Sequence, residues 1–151
     1  MHRREMRESV AWWALPNDAR RVLDRLEIEH MRHGGSENGS LICTYSDFAK
    51  TGIRRASVAL AIRQCVALGF LKIAKQGARS RAEFRAPSLY LLTYVNGGGK
   101  SPPPTDEWRR LASEEAAALA LVQARRVHEE HRQSRTLDQD IDSRLAGASR
   151  P

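Results

Sequence analysis

Residues 51–73 read TGIRRASVALAIRQCVALGFLKI, and this stretch decides the fold. Five apolar residues in it recur at i, i+3, i+4, i+7 and i+10, which is typical of one buried face of an α-helix. They are Val58, Ala61, Ile62, Cys65 and Leu68. Gly69 then supplies the residue type that most easily adopts the left-handed conformation in which many helices end. The sequence therefore predicts a helix over residues 54–68 and a strand over residues 70–75.

The flanking sequence predicts shorter elements on both sides of this helix. Asn17 or Asp18 can cap a helix that ends at Gly34-Gly35, with an apolar stripe of Val22, Leu23, Leu26, Ile28 and Met31. Residues 41–43 suffice only for a short strand. Thr44 and Asp47 resemble a capping box, which opens a short helix over residues 45–50. An arginine-rich loop over residues 76–87 and a returning strand over residues 88–94 complete the pattern. The expected fold class is α+β, mainly α with a small β-sheet.

The positive charge of the chain is concentrated in one segment. Residues 50–85 hold nine basic residues against one acid, a net charge of +8, whereas the whole chain of 151 residues has +7. Residues 1–49 carry −1 and residues 86–151 are neutral. A positive surface built on a helix and a hairpin is typical of proteins that bind nucleic acid.

Composition argues against membrane-spanning, secreted and metal-binding classes of protein. The chain has ordinary hydrophobic content, 41%, and no run approaching the roughly 18 apolar residues of a membrane span. Its N-terminus lacks the apolar core of a secretory signal, so we expect a cytoplasmic protein. Cys43 and Cys65 are then expected to be reduced thiols. We predict no metal site and no cofactor.

The order of elements, with these residues, resembles a winged helix-turn-helix domain, in which three helices are followed by a β-hairpin wing. The resemblance rests on Phe48, Gly52-Ile53, Arg55, Ser57, Arg63 and Leu68-Gly69-Phe70. The wider sequence over residues 11–126 is similar to small winged-helix proteins of alphaproteobacterial chromosomes, plasmids and mobile elements. Arg54 departs from the family pattern, which often has Ser or Thr before the recognition helix.

The resemblance implies a double-stranded DNA interface. A recognition helix fits the major groove, where side chains near its N-terminus reach base edges. Wing arginines favour a narrow minor groove, and the start of the preceding helix can hold a phosphate. The candidate residues are Arg54, Arg55, Ser57, Ala59, Leu60, Arg63 and Gln64 on the recognition helix; Thr44, Tyr45 and Ser46 before it; and Lys75, Arg79, Ser80, Arg81 and Arg85 on the wing.

Other motifs predict no chemistry. The run GGGKS at residues 97–101 lacks the first glycine of a phosphate-binding loop and is followed by three prolines, so it is expected to be a flexible linker. His128 and His131 are three residues apart, whereas the zinc protease motif requires four, and no third ligand accompanies them. We expect no enzymatic activity and no small-molecule ligand.

The expected organisation is an N-terminal arm (1–15), a DNA-binding domain (16–95), a linker (96–104), a C-terminal helical segment (105–134) and a disordered tail (135–151). The apolar run AAALALVQA must be covered. It could pack on the first helix, with Trp12, Trp13 and Trp108 at the join, or against a second copy in a homodimer.

These features predict a sequence-specific transcriptional regulator that represses by occlusion. Two alternatives stay open. One is a replication, excision or conjugation accessory protein of a plasmid, phage or integrative element. The other is a module in which the basic surface binds an acidic protein partner.

Overall fold

The structure, a computed structural model, describes residues 3–77 and 86–148. In chain order its helices and strands are α1 (Arg4–Arg7), α2 (Val10–Ala14), α3 (Asn17–Arg32), β1 (Leu41–Ile42), α4 (Tyr45–Ala49), α5 (Arg55–Ala67), β2 (Leu71–Lys75), β3 (Leu89–Leu92) and α6 (Glu114–Ala148). A 3₁₀ turn, Glu107–Arg110, precedes α6. The expected class is confirmed, since the described chain is mainly helical with a small antiparallel sheet.

The sheet places β3 between the other two strands. Tyr90 pairs with Leu41 of β1 on one side and with Ile73 of β2 on the other. The register between β2 and β3 shifts between Ile73 and Lys75, so the pair is irregular where it approaches the connection between the two strands. A shift of this kind bends a strand and ends regular pairing.

The local signals around α5 are confirmed. The five apolar residues of its predicted face are all buried. Thr44 and Asp47 form a reciprocal capping box at the start of α4. Arg54 occupies the N-cap of α5, and its side chain forms no capping hydrogen bond. The nearby Thr51 hydroxyl does not cap α5 either, because it donates to the Phe48 carbonyl of α4. The start of α5 is therefore held by its packing rather than by a capping side chain.

The buried face of α3 differs from the predicted stripe. Val22, Leu23 and Leu26 are buried, but Ile28 and Met31 are exposed. At 100° per residue the last two lie on the opposite side of the helix, and their places on the buried face belong to Glu27 and His30. The Tyr94 hydroxyl donates a hydrogen bond of 2.7 Å to Glu27 Oε1. This bond satisfies a buried carboxylate oxygen and joins α3 to the end of the sheet.

Phe70 lies at the centre of an aromatic cluster that joins α2 to the 3₁₀ turn before α6. Its ring meets Trp12 edge-on at 5.8 Å, Tyr94 edge-on at 6.2 Å and Trp108 in a stack at 6.5 Å. Trp13, in contrast, is 71% exposed. The predicted boundaries at residues 15 and 105 therefore do not separate the core, because Trp12 and Trp108 belong to it.

Residues 96–104, expected to be a flexible linker, are tied to the loop between α3 and β1. Gly98 donates its backbone N–H to the Gly35 carbonyl, and the Ser101 hydroxyl accepts from the backbone N–H of Asn38. The Asn38 side chain in turn bonds both backbone groups of Leu92. A composition rich in Gly and Pro indicates a loop, but it does not show whether the loop has partners.

The C-terminal helix is longer than the sequence suggested. α6 has 35 residues and continues through most of the segment that was expected to be disordered. Its side chains are exposed from Arg132 onward. No Pro or Gly interrupts α6 before Gly147, so the backbone hydrogen bonds continue although this part is not packed on the domain.

Substitution of Gly69 tests the join between α5 and the 3₁₀ turn. Gly69 has φ +82°, and an added Cβ would lie 2.6 Å from the backbone of Glu107 and Trp108. We expect Gly69→Ala to lower the free energy of unfolding by about 3 kcal/mol, from the left-handed conformation and the backbone clash together. Urea denaturation followed by circular dichroism measures the change.

Gly34→Ala is the matched control for this prediction. Gly34 has φ +61°, but a Cβ there would meet nothing within 4 Å. Only the conformational penalty of about 1 kcal/mol is therefore expected. Equal losses at the two positions would show that the contact between Gly69 and the 3₁₀ turn contributes nothing.

Candidate nucleic-acid interface

The first turn of α5 carries two exposed arginines. Arg54 and Arg55 are both exposed, and neither forms an ion pair with any residue in the described ranges. Arg55 donates a hydrogen bond of 3.2 Å to the Ser46 hydroxyl, which brings the starts of α4 and α5 together. Tyr45 beside Ser46 is also exposed. The structure thus assembles one positive surface from four of the predicted residues.

The start of α4 is a poorer phosphate site than the sequence suggested. The Thr44 hydroxyl and backbone N–H both donate to Asp47 Oδ2, and the Asp47 backbone N–H donates to that hydroxyl. Hydrogen bonds from the backbone and side chain of Thr44 lower the pKa of Asp47. A carboxylate therefore already occupies the end of α4 where a phosphate was expected, and Thr44 is a capping residue in this structure.

The later part of the predicted DNA-reading face lies against α6 and the start of α3. Gln64, which was expected to face outward, is only 6% exposed. A groove of about 330 Å³ lies between α5, α6 and the start of α3, and Ser57, Leu60, Gln64 and Arg125 line it. Sequence periodicity predicted which side of α5 faces the core, but it did not predict that α6 packs on another side.

Arg63 is directly engaged by α6. Arg63 Nη2 lies 2.6 Å from His131 Nδ1. Because a guanidinium has only donors, His131 Nδ1 is the acceptor in this contact. Arg63 was predicted to contact phosphate, and here its side chain connects the two helices. The sequence did not indicate that Arg125 and His131 of α6 would lie against α5.

The remaining candidates fall into three groups. Ala59 is half-buried on α5, and Lys75 is exposed at the end of β2. Lys72, on the same strand, was not a candidate, and its ammonium group forms an ion pair with Glu107 at 2.5 Å. Arg79, Ser80, Arg81 and Arg85 lie outside the described residues.

α6 packs on both α5 and α2, so the predicted packing on the first helix is wrong, whereas association with a second copy stays a prediction. The helix docks within its own chain, but on α5 and α2 rather than on α3, and Trp12 and Trp108 meet at Phe70 instead. Its outer side keeps several large apolar side chains exposed. They are Leu119, Val122, Leu137, Ile141 and Leu145. Val127 is also exposed, but it lines the groove between α6 and α5.

Comparisons with protein-family models, with curated proteins and with solved structures found no match to this chain. Across residues 3–77 and 86–148, no helix has an apolar stretch long enough to cross a membrane. The same ranges contain no group of three or more His, Cys, Asp or Glu residues placed to hold a metal ion.

Acidification is expected to weaken the packing of α6 on α5. Burial lowers the pKa of His128, and the charges of Arg63, Arg132 and His131 lower it further against the opposing effect of Glu129. Below the ordinary histidine pKa of about 6.5, the unfolded chain therefore binds a proton that folded His128 resists. Stability should fall as the pH falls through this range.

The free energy of unfolding, measured between about pH 7.5 and about pH 5.5, checks this expectation. The decline should be smaller in His128→Gln than in the unmodified protein, since the variant keeps a polar side chain but does not titrate. Burial also lowers the pKa of His30, so some decline is expected to persist in the variant. Identical pH profiles would contradict the assignment to His128.

Proposed function

We propose that this protein binds double-stranded DNA and acts as a transcriptional regulator, with α3, α4 and α5 in a winged helix-turn-helix arrangement. One observation carries the proposal. The first turn of α5 presents Arg54 and Arg55 to solvent, beside the exposed Tyr45 and Ser46. Arginine is the side chain that most often pairs with guanine in the major groove, since its fork matches the O6 and N7 acceptors.

The dimensions of α5 support this role. Its 13 residues span about 20 Å at 1.5 Å per residue. A helix of this size fits a major groove about 12 Å wide, and readers of this type contact base edges through the N-terminal part of the helix. The part of α5 that carries Arg54 and Arg55 is the part least covered by the rest of the chain.

The outer side of α6 supports association of two copies. Leu137, Ile141 and Leu145 recur every four residues on the exposed end of the helix. Apolar side chains at this spacing form one stripe along the helix. Covering a stripe that is exposed to water lowers the free energy of the system. A two-fold dimer would present two copies of α5 to two half-sites.

Substitution of Arg55 tests base reading. On a duplex enriched from a random library, Arg55→Ala is expected to weaken binding by about 1–3 kcal/mol, because a bidentate contact to one base is lost. On random duplex the loss should be small. Fluorescence anisotropy with both duplexes over a salt series gives the affinities and the number of phosphates contacted, since the log–log slope is about −0.9 per phosphate.

Arg4→Ala is the control because it removes the same charge from an exposed position on α1. Its affinities should stay close to those of the unmodified protein. Equal losses on both duplexes in Arg55→Ala would make Arg55 a phosphate contact and not a base reader. Absence of binding to every duplex at low salt would remove the proposed function itself.

A further inference from the structure

The side of α5 that faces away from the core is divided between solvent and α6. Around the helix, Ala56, Arg63 and Ala67 lie most directly opposite the buried face. Ala56 is exposed, but Arg63 contacts His131, and Ala67 lines a groove of about 320 Å³ together with Ala120 and Ala124 of α6. α6 thus lies on the side of α5 that a DNA duplex would have to meet.

The two helices together are too wide for the major groove. A helix with its side chains is about 10–12 Å across, and packed helices lie about 8–10 Å apart. The pair therefore measures about 20 Å, against a groove about 12 Å wide. With α6 in place, only the first turn of α5 has access to base edges.

α6 also extends toward the exposed end of α5. Ala120 shares a groove with Ala67, whereas Arg125 shares one with Ser57, so the two helices run in opposite directions. Beyond His131, α6 continues for about 25 Å at 1.5 Å per residue. Residues 132–148 carry three arginines and three aspartates, a net charge of 0. This extension therefore disfavours a duplex at the same place by its bulk and not by its charge.

The contact between α6 and the domain is made mainly by small side chains, together with Leu121, which packs beside α2. Ala117 and Ala124 are buried and Ala120 is partly buried, whereas Leu119 and Val122 point to solvent. Besides the two grooves against α5, a third groove of about 500 Å³ is lined by residues of α6 and α2. Alanine methyl groups bury little apolar area, and grooves on both sides lose further contacts. Each residue of α6 that lies on α5 therefore contributes little apolar area, although the contact extends along both helices.

We infer that α6 competes with DNA for α5, so that full engagement of a duplex requires α6 to leave its position on α5. This inference rests on the proposed function and adds its regulation. In the docked state the protein can present Arg54 and Arg55, and in the undocked state it can present Leu60 and Arg63 as well. The apparent affinity for the duplex then equals the affinity of the undocked state multiplied by the fraction of molecules in which α6 is undocked.

A substitution on the inner side of α6 tests the competition in the full-length protein. Ala124→Arg places a long charged side chain between the helices and should displace α6 from α5. Val122→Arg is the matched control, because Val122 is 64% exposed on the outer side of the same helix and the charge change is identical. Ala124→Arg should bind the enriched duplex about 5- to 150-fold more tightly than Val122→Arg, the range typical of coupled equilibria.

A reversible link gives the opposite perturbation and does not depend on the folding of Ala124→Arg. Ala67→Cys and Gln123→Cys introduce thiols on two sides of one groove, and a bismaleimide with a cleavable disulfide spacer joins them. The native Cys43 and Cys65 are buried, so they react slowly. The linked protein should bind duplex at least about 5-fold more weakly than the same sample after reductive cleavage.

The outcomes separate the two proposals. Tighter binding by Ala124→Arg, or weaker binding by the linked protein, supports the competition. Equal affinities before and after cleavage, with measurable duplex binding in both samples, overturn the competition and leave the proposed function intact. No binding by any of these proteins to any duplex at low salt removes the proposed function and the competition with it.

Discussion

The packing of Trp12, Tyr94 and Trp108 around Phe70 is the interaction on which the rest of the structure depends. Each aromatic pair of this kind contributes about 0.5–1.5 kcal/mol beyond the burial of its area. These rings come from α2, from the positions that flank β2 and β3, and from the 3₁₀ turn before α6. Trp108 stacks on Phe70 and so holds this turn against the domain, and α6 starts four residues after the turn.

Much of the fold followed from short-range patterns. The buried stripe of α5 and the capping box at Thr44 depend on residues within a few positions of one another, and both are confirmed. The exposure of Met31 and the burial of Gln64 were not predicted. Both depend on which distant element covers a given side of a helix, and a single sequence gives no register for such contacts.

The candidate interface divides in the same way. Arg54 and Arg55 were expected at the exposed start of a helix, and the structure places them there beside Ser46. Nothing in the spacing of residues 54–68 indicated that Arg63 would bond to His131, 68 positions away. The alanine-rich run of α6 predicted a helix with a buried side, but an apolar sequence does not show which element packs against it.

The exposed arginines at one end of α5 and the covered side chains along its length have a kinetic consequence. Attraction to phosphates does not depend on sequence and lets a protein slide along DNA. Under the proposed function, a molecule with α6 docked would keep Arg54 and Arg55 available for such sliding while Gln64 stays buried. Search for a site and recognition of it would then be performed by two conformations, and the opening of α6 would set how fast one converts into the other.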